Sequence, residues 1–222
     1  MTTYTLNPNN IMATNTHILE EIILKSGESC AAGEVVGKEA YKTSVSGDWV
    51  ADSSNSGDGV LAAVVIRAGA LIQLGDYILE CINIFGTDGA VFQLVGPDGI
   101  TLSKKFIVPD GEATVDFVGY EFTFTLSNNV DNSSPFAIGD FYTVTIEAGT
   151  NKYIAAVRTN TNGADKNLAV LPSKVDASLA DVTTSAIRIG PVLLMNLTYD
   201  SSYTETQIKQ ALKDVQINAV GE

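Results

Sequence analysis

The chain has 222 residues, of which 45% are hydrophobic, as is usual for a globular protein that buries a sizeable core. Its formal net charge of −13 argues against a nucleic-acid partner, because phosphate contacts require clustered Lys and Arg side chains. The only two cysteines, Cys30 and Cys81, exclude a disulfide framework and a cysteine zinc site, and the sequence leaves open whether they form one bridge. No stretch has the roughly 18 apolar residues of a membrane span, and no apolar run follows a basic segment, so we expect neither a membrane contact nor a signal peptide.

The first 17 residues are rich in Thr and Asn and carry few large apolar side chains. They cannot bury enough apolar surface to fold alone. Two interpretations stay open: a flexible terminus, or an arm that becomes ordered when it adds a strand to the sheet of a partner. The next run, residues 18–25, is apolar around a charged pair, and its pattern fits a short helix as well as a strand.

Residues 26–40, SGESCAAGEVVGKEA, contain several glycines and a Gly-Lys pair, which raises the question of a phosphate-binding loop. A Walker-type loop that ends at Gly37 and Lys38 needs a glycine at position 32 and a hydroxyl side chain at position 39. The chain has Ala32 and Glu39 at these positions, so the pattern does not predict phosphate binding.

A reactive thiol at Cys30 is also disfavoured. Glu28 and Glu34 lie on either side of it, and negative neighbours oppose the thiolate that such chemistry needs. We expect a turn, a short strand and a second turn in this stretch. Its glycines permit the tight bends and its valines pack inward: Gly27, Gly33, Val35 and Val36.

Residues 46–59 are predicted to form a loop around a brief strand at Trp49-Val50. Within the loop, residues 52–57 (DSSNSG) partly resemble a calcium-binding loop, which needs acidic or amide ligands at its first, third and fifth positions and then glycine. Ser54 and Ser56 occupy the third and fifth positions, so a plain turn is favoured over a metal site.

Residues 57–149 have the clearest strand pattern. Apolar and polar residues alternate between turns of Pro, Asp and Gly, and the alternation places Cys81 in a core with Tyr77 and Leu79. The predicted strands cover 60–67, 75–85, 90–95, 100–108, 113–127 and 141–149. Short strands with regular turns favour an immunoglobulin-like sandwich.

Further strands are predicted after residue 150, at 152–158, 167–177 and 184–195. A helix follows from Thr204 to Val215, with apolar residues at helical spacing on one face. Thr204 and Gln207 supply the capping box at its start.

No set of residues favours catalysis. The single histidine, His17, lies in the N-terminal arm, and the sequence offers no metal cluster and no credible nucleophile with a base. Residues 57–149 carry a net charge of −9, which is typical of a solvated face. The residues alone therefore predict a β-rich binding or structural protein that has no enzymatic activity, cofactor or metal site.

Four segments resemble, in order, the lambda-type phage head decoration proteins. Residues 26–38 resemble the family's glycine-rich entry segment, 169–178 its AVAVLxxxVDA segment and 185–191 its Arg-containing strand. The final helix, followed by Ile217, resembles the segment that closes the family's module. Gly190-Pro191 replaces the usual glycine-acidic pair.

The resemblance implies a mainly β fold with a short C-terminal helix, in which an inserted domain splits a small decoration module. It assigns an extended arm to residues 1–20 and the module to residues 21–56 and 150–222. The inserted immunoglobulin-like sandwich is then residues 57–149, and some larger relatives carry a similar insert with a strand like residues 75–81.

The resemblance also implies a homotrimer, made in the host cytoplasm, that binds the outside of the phage capsid at three-fold positions. There it clamps neighbouring major capsid subunits and stabilises the expanded shell. The arm residues expected to bind the capsid are Thr3, Tyr4, Thr5, Leu6, Ile11 and Met12. The residues expected at trimer or capsid contacts are Arg188, Pro191, Leu193 and Leu197. The alternative is a surface adhesin whose 57–149 sandwich contacts host-surface glycan.

Overall fold

The computed structural model describes residues 17–42, 50–67, 72–87, 89–109, 114–118, 122–127 and 135–221. They fall into two compact units. Unit 1 contains the described residues up to Ala40 and from Gly149 onward, and unit 2 runs from Tyr41 to Ala148. The boundary that the sequence places at residue 57 therefore lies inside unit 2, because the chain enters that unit at Tyr41.

About half of the described residues belong to strands. The first three, in unit 1, are β1 (Ile18–Leu24), β2 (Ser29–Cys30) and β3 (Val35–Lys38). Unit 2 contains β4 (Val50–Ala51), β5 (Val60–Ile66), β6 (Gly75–Phe85), β7 (Gly89–Val95), β8 (Thr101–Val108), β9 (Thr114–Val118), β10 (Phe122–Ser127) and β11 (Phe141–Ile146). Unit 1 resumes with β12 (Tyr153–Ala155), β13 (Leu168–Val170), β14 (Val175–Asp176), β15 (Val182–Leu193), a 3₁₀ turn (Leu194–Asn196), α1 (Glu205–Asp214) and β16 (Ile217–Val220).

The mainly β fold with a short C-terminal helix is confirmed; one open alternative is decided, and one predicted strand differs. Residues 18–24, for which helix and strand were both open, form β1. The run 113–127, predicted as one strand, is two antiparallel strands that pair from Thr123 opposite Val118 to Ser127 opposite Thr114.

Five strands of unit 1 pair in a closed ring. β1 pairs antiparallel with β15, β15 with β13, β13 with β3 and β3 with β12. The ring closes where β12 runs parallel to β1, with Tyr153 beside Leu24. β16 lies outside the ring and extends the second half of β15 in parallel. Because the ring is closed, both edges of each of these five strands pair with a neighbouring strand in unit 1.

The core of unit 1 has two sides, because neighbouring side chains on a strand point in opposite directions. Val36 belongs to one buried cluster and Val35 to the other, as the sequence predicts for an inward-packing pair. The first cluster also contains Ile22, Leu24, Ala169, Leu171 and Ala186. The second joins the sheet to α1 and includes Leu168, Val170, Ile187, Ile208 and Leu212. Full burial of each such side chain contributes about 1.5–3 kcal/mol.

The C-terminal helix begins as predicted. Thr204 is the N-cap: its hydroxyl accepts a hydrogen bond from the backbone N–H of Gln207, and the Gln207 side chain accepts one from the backbone N–H of Thr204. This is a complete capping box, which satisfies two backbone donors that the first turn cannot satisfy itself.

Unit 2 is a sandwich of two antiparallel sheets, with strand orders β4-β11-β6-β7-β8 and β5-β10-β9. Aromatic side chains from the two sheets meet edge to face. The Tyr77 and Phe122 ring centroids lie 4.9 Å apart, as do those of Phe106 and Phe124. Cys81 is fully buried in this core, as the alternation of β6 predicts.

The segment 52–57 forms a turn. The Asp52 carboxylate accepts hydrogen bonds from the backbone N–H and hydroxyl of Ser54, and the Asn55 side chain pairs with the backbone of Phe141. The described part of the chain contains no group of three or more His, Cys, Asp or Glu side chains placed to hold a metal ion.

Candidate interaction surface

The sequence left open whether the two cysteines form a disulfide bond, and the structure answers this. Both cysteines are buried free thiols, Cys30 in unit 1 and Cys81 in unit 2. Burial raises the pKa of Cys30 to about 12, and the charges of Glu34 and Glu28 add to this effect. The thiol is therefore protonated at neutral pH and is a poor nucleophile.

The predicted capsid-binding residues of the arm lie outside the described part of the chain: Thr3, Tyr4, Thr5, Leu6, Ile11 and Met12. The description begins at His17, whose Nε2–H donates to the carbonyl oxygen of Pro191 at 2.7 Å. This bond fixes the point at which residues 1–16 join unit 1, beside the second half of β15.

An exposed apolar patch lies next to this point. Ile18 pairs with Ile189 across β1 and β15, and Leu19 and Ile23 lie four positions apart on one face of β1. These four side chains, here named the β1 patch, are between 37% and 56% exposed. Exposed apolar side chains grouped in this way are typical of a contact surface.

The predicted contact residues on β15 share one side of that strand. Ile187 and Val192 both pack into the core beneath α1, although simple alternation would place them on opposite faces. Between them, the pairing of β15 with β1 is irregular from Ile187 to Ile189, and Gly190 has φ of 126°, a conformation that favours glycine, so the alternation shifts within this stretch. Arg188, Pro191 and Leu193 consequently face away from α1.

Arg188 is held by its own chain. Its Nε–H donates to Glu20 Oε2 at 3.0 Å, and an Nη1–H donates to the carbonyl oxygen of Leu168. The Arg188 side chain is 25% exposed. The geometry makes Arg188 a link between β1, β13 and β15.

Leu197 lies apart from the other three residues. It packs against the core cluster beneath α1, and the backbone N–H of its cap position donates to the carbonyl oxygen of Leu194. The structure therefore places Arg188, Pro191 and Leu193 on β15 and packs Leu197 against the core beneath α1.

A second exposed element is the loop between β14 and β15. Leu179 at its tip is 96% exposed. The loop is braced on both sides: Asp176 accepts from the Ser178 N–H at 3.0 Å, and Asp181 accepts from the Ser26 N–H at 2.9 Å. The hydrogen bond from Lys152 is the main cause that lowers the pKa of Asp181, so this brace is ionised at neutral pH.

Sequence reasoning missed both the β1 patch and Leu179. The signal in residues 18–24 is that apolar residues occupy both faces of a short strand, which leaves those on the outer face without a core. Leu179 follows the VDAS segment directly in a loop otherwise made of small and acidic residues, and a lone leucine there is the cue for a contact.

None of the helices in the described residues is long and apolar enough to cross a membrane.

No curated protein matches the chain. Among solved structures, two crystal forms of FlgL from Xanthomonas campestris match with 18% and 17% identity and a TM-score of 0.32. The matches cover 58% of this chain and 34% and 33% of the FlgL chains, so the chain spans about a third of their length. The family model described as bacteriophage lambda head decoration protein D matches residues 10–219, which includes both units. The chain therefore belongs to the family of the bacteriophage lambda head decoration protein D.

Proposed function

We propose that this head decoration protein binds the outside of the phage capsid as a homotrimer and stabilises the expanded shell by clamping neighbouring major capsid subunits. The observation that carries the proposal is the position of His17, where residues 1–16 join unit 1 beside the exposed β1 patch. A protein that binds the assembled shell and not the free subunits stabilises the shell by mass action.

The arm and the patch supply different kinds of contact. Residues 1–16 contain no charged side chain, which suits strand addition, where main-chain hydrogen bonds give affinity and alternate side chains give specificity. The β1 patch and Leu179 supply apolar area on braced elements that lose little conformational entropy on binding. Pro191 and Leu193 offer further partly exposed apolar side chains on β15, and the Arg188 side chain is 25% exposed.

Unit 2 supports the proposal of an immunoglobulin-like insert. If β5 is taken as strand B, then β6, β7 and β8 correspond to C, C′ and C″, β9 and β10 to D and E, and β11 to F. The sheets β5-β10-β9 and β11-β6-β7-β8 then have the variable-type orders B-E-D and F-C-C′-C″. β4 pairs with β11 at the edge where strand G would lie.

The adhesin alternative has less support. Among the described residues of unit 2, the aromatic rings in contact with one another include Tyr77, Phe92, Phe106 and Phe122, all of them buried. A sugar-binding platform needs aromatic faces that reach solvent. The contacts among these rings therefore favour a core role over a sugar-binding platform, and Phe85 on β6 is 39% exposed.

Deletion of residues 1–16 tests the proposed role of the arm. The shortened chain, which retains His17, should keep the oligomeric state and the thermal unfolding transition of the full chain. Its affinity for expanded capsids should fall by about 100-fold or more, because the strand-adding segment is gone. Co-sedimentation with capsids that lack the decoration protein measures this, and full decoration by the shortened chain would contradict the proposal.

Two sets of substitutions refine the test. Replacement of the apolar residues Leu6, Ile11 and Met12 by Ser should weaken capsid binding, because these side chains would fill pockets on the partner. Replacement of Asn7, Asn9 and Asn10 by Ser is the matched control and should leave binding close to that of the full chain. Equal loss in both sets would contradict a specific role of the apolar side chains.

A further inference from the structure

The outer face of the five-stranded sheet in unit 2 combines apolar and charged residues in an ordered way. Inward and outward side chains alternate along β6 and β7 and over the second half of β8, and the inward ones fill the sandwich core. Ile78, Val91 and Val95 on the outer face are half-buried, and Ile107 is 53% exposed. We name this surface, which also includes Glu80, Gln93 and Lys105, the outer sheet face.

One row of residues crosses the outer sheet face at right angles to the strands. Glu80 on β6 lies opposite Gln93 on β7, and Gln93 lies opposite Lys105 on β8. The Gln93 Nε2–H donates to Glu80 Oε2 at 2.9 Å, so the amide connects the carboxylate to the centre of the row. Lys105 is exposed, and none of the described residues forms an ion pair with it.

This row is complementary to a reversed copy of itself. A negative group stands at one end, a positive group at the other, and a neutral amide in the middle. When two copies of this sheet face each other, a two-fold axis can lie between them, parallel to β7. Rotation about this axis reverses the order of the strands and keeps each row of residues at the same height along the strands. Glu80 of one copy then faces Lys105 of the second, Lys105 faces Glu80, and the two Gln93 side chains meet on the axis.

The apolar rows agree with the same axis. Val91 and Val95 lie on β7, above and below Gln93, so each would meet its own copy. Ile107 lies opposite Val91 on β8 and would cover the outer side of β6 in the second copy. Sheets that pack face to face in this aligned way lie about 10 Å apart, which leaves room for one layer of side chains from each.

We propose that the outer sheet face is a self-association site that docks a second copy of unit 2 through an isologous, two-fold contact. The inference goes beyond the proposed capsid function, and the contact needs no capsid to form. Unit 2 carries four basic and fourteen acidic side chains, a net charge of −10, so two free copies repel each other at long range. The contact is therefore weak in dilute solution and becomes stronger where neighbouring copies are held at high local concentration.

The test uses the full chain and measures the average mass as a function of protein concentration by sedimentation, at about 0.15 M salt, where the Debye length is about 8 Å. The wild-type chain should grow beyond its basic assembly as its concentration rises. Glu80→Lys and Lys105→Glu should each weaken this growth by about tenfold to a hundredfold, because each creates two like-charge pairs per contact. A wild-type chain whose mass does not change with concentration overturns the proposal.

A mixture of the two single variants provides the decisive measurement. Neither variant should associate with itself, but in the mixed contact both substituted positions meet an opposite charge, so the mixture should regain association. The double variant Glu80→Lys with Lys105→Glu should also regain it. Two folded single variants that fail to associate when mixed overturn the proposal.

Asp116→Lys is the matched control. Asp116 is exposed on the other sheet of unit 2, where it accepts a hydrogen bond from Thr125 at 2.6 Å, and its reversal changes the net charge as much as Glu80→Lys does. It should leave the concentration dependence in place. Equal loss of association in this control would show that net charge alone governs association and would overturn the assignment to the outer sheet face.

Discussion

Glu39, the residue after β3, joins several parts of unit 1. Lys25 Nζ donates to both carboxylate oxygens at 2.8 and 3.0 Å, Thr150 Oγ1 donates at 2.6 Å and Asn162 Nδ2 at 3.1 Å. Burial acts to raise the pKa of Glu39, but the hydrogen bonds from these three residues and the charge of Lys25 outweigh it, so the pKa lies below its usual value. The ionised carboxylate thus holds together the backbone near the two points where the chain crosses between units.

Glu39→Gln should lower the free energy of unfolding by about 1–2 kcal/mol at pH 7, because charged hydrogen bonds are replaced by weaker neutral ones. A carboxyl whose pKa is lowered by folding stabilises the folded chain above its unfolded pKa of about 4.3, and this contribution is lost as the pH falls through the folded value. The difference between wild type and variant should therefore be largest at neutral pH and shrink below about pH 4. Denaturant unfolding followed by circular dichroism at pH 7 and about pH 3.5 measures it.

The control for this substitution is Glu20→Gln. The Glu20 side chain is 60% exposed and forms one ion pair with Arg188, and exposed pairs of this kind contribute less than about 1 kcal/mol. It should change stability little at either pH. An equal loss for Glu39→Gln at both pH values would indicate lost packing and contradict the role of the charge.

Single residues also show where sequence reasoning succeeds and where it stops. The inward packing of Val35 and Val36 and the burial of Cys81 follow from local alternation, and the structure confirms them. The need for glycine at Gly37 does not follow from any local pattern. A Cβ there would lie 1.7 Å from the carbonyl oxygen of Ala164, and that neighbour is brought in only by the tertiary fold.

At the scale of elements, α1 depends on its first turn. The helix has ten residues, which is too short to be stable alone in water, so its capping box and its buried side chains Ile208 and Leu212 support it. Glu205 and Lys209 add an ion pair one turn apart on the exposed face. The cap was predictable because it needs only residues 204–207, which are adjacent in sequence.

Thr204→Ala should destabilise unit 1 by about 1 kcal/mol, because the Gln207 N–H loses the hydroxyl that caps it. Thr206→Ala, two residues further on, is the matched control: Thr206 is exposed within the helix, and alanine has the higher helix propensity, so this change should be neutral or slightly stabilising. Thr204→Ser should retain the cap. Thermal unfolding followed at the helical circular dichroism band compares the three, and equal loss from both alanine variants would contradict the capping argument.

Strand pairing shows the limits of prediction at this scale. The run 113–127 contains Gly119 between two stretches that alternate separately, and this glycine was the available sign that it forms two strands, β9 and β10. No local sign exists for the parallel pairing of Leu24 with Tyr153 that closes the ring of unit 1. Residues so far apart in sequence meet only because the insert between them leaves and returns at neighbouring points.

At the scale of the whole molecule, that return explains how the insertion is accommodated. Within unit 1, the Gly149 N–H donates to the carbonyl oxygen of Ala40 at 3.0 Å. Within unit 2, Tyr41 and Ala148 form a β-bridge. Because the leaving and returning strands are backbone neighbours on each side of the junction, unit 2 can be inserted without rearrangement of β3 or β12.

The two proposals also fit one another by symmetry. Three-fold positions that are neighbours on an icosahedral shell are related by local two-fold axes. A trimer at each position and an isologous contact between copies of unit 2 are therefore compatible with one lattice. If both hold, decoration should be cooperative, since a bound trimer presents an additional contact to the next one.

The junction gives a sharp test of where the insert begins. Replacement of residues 41–148 by a short Gly/Asn linker should join β3 and β12 as a hairpin, because Ala40 and Gly149 are already hydrogen-bonded and hairpin loops of about two to five residues are common. The product should be soluble, retain the basic assembly and capsid binding, and lose the concentration-dependent growth assigned to the outer sheet face.

Replacement of residues 57–149, the boundary that the sequence predicts, is the comparison. It removes Gly149 and leaves β4 without its partner β11, so it should aggregate or unfold at a lower temperature. Thermal unfolding, sedimentation and capsid co-sedimentation compare the two products, and equal behaviour would contradict a unit 2 that begins at Tyr41.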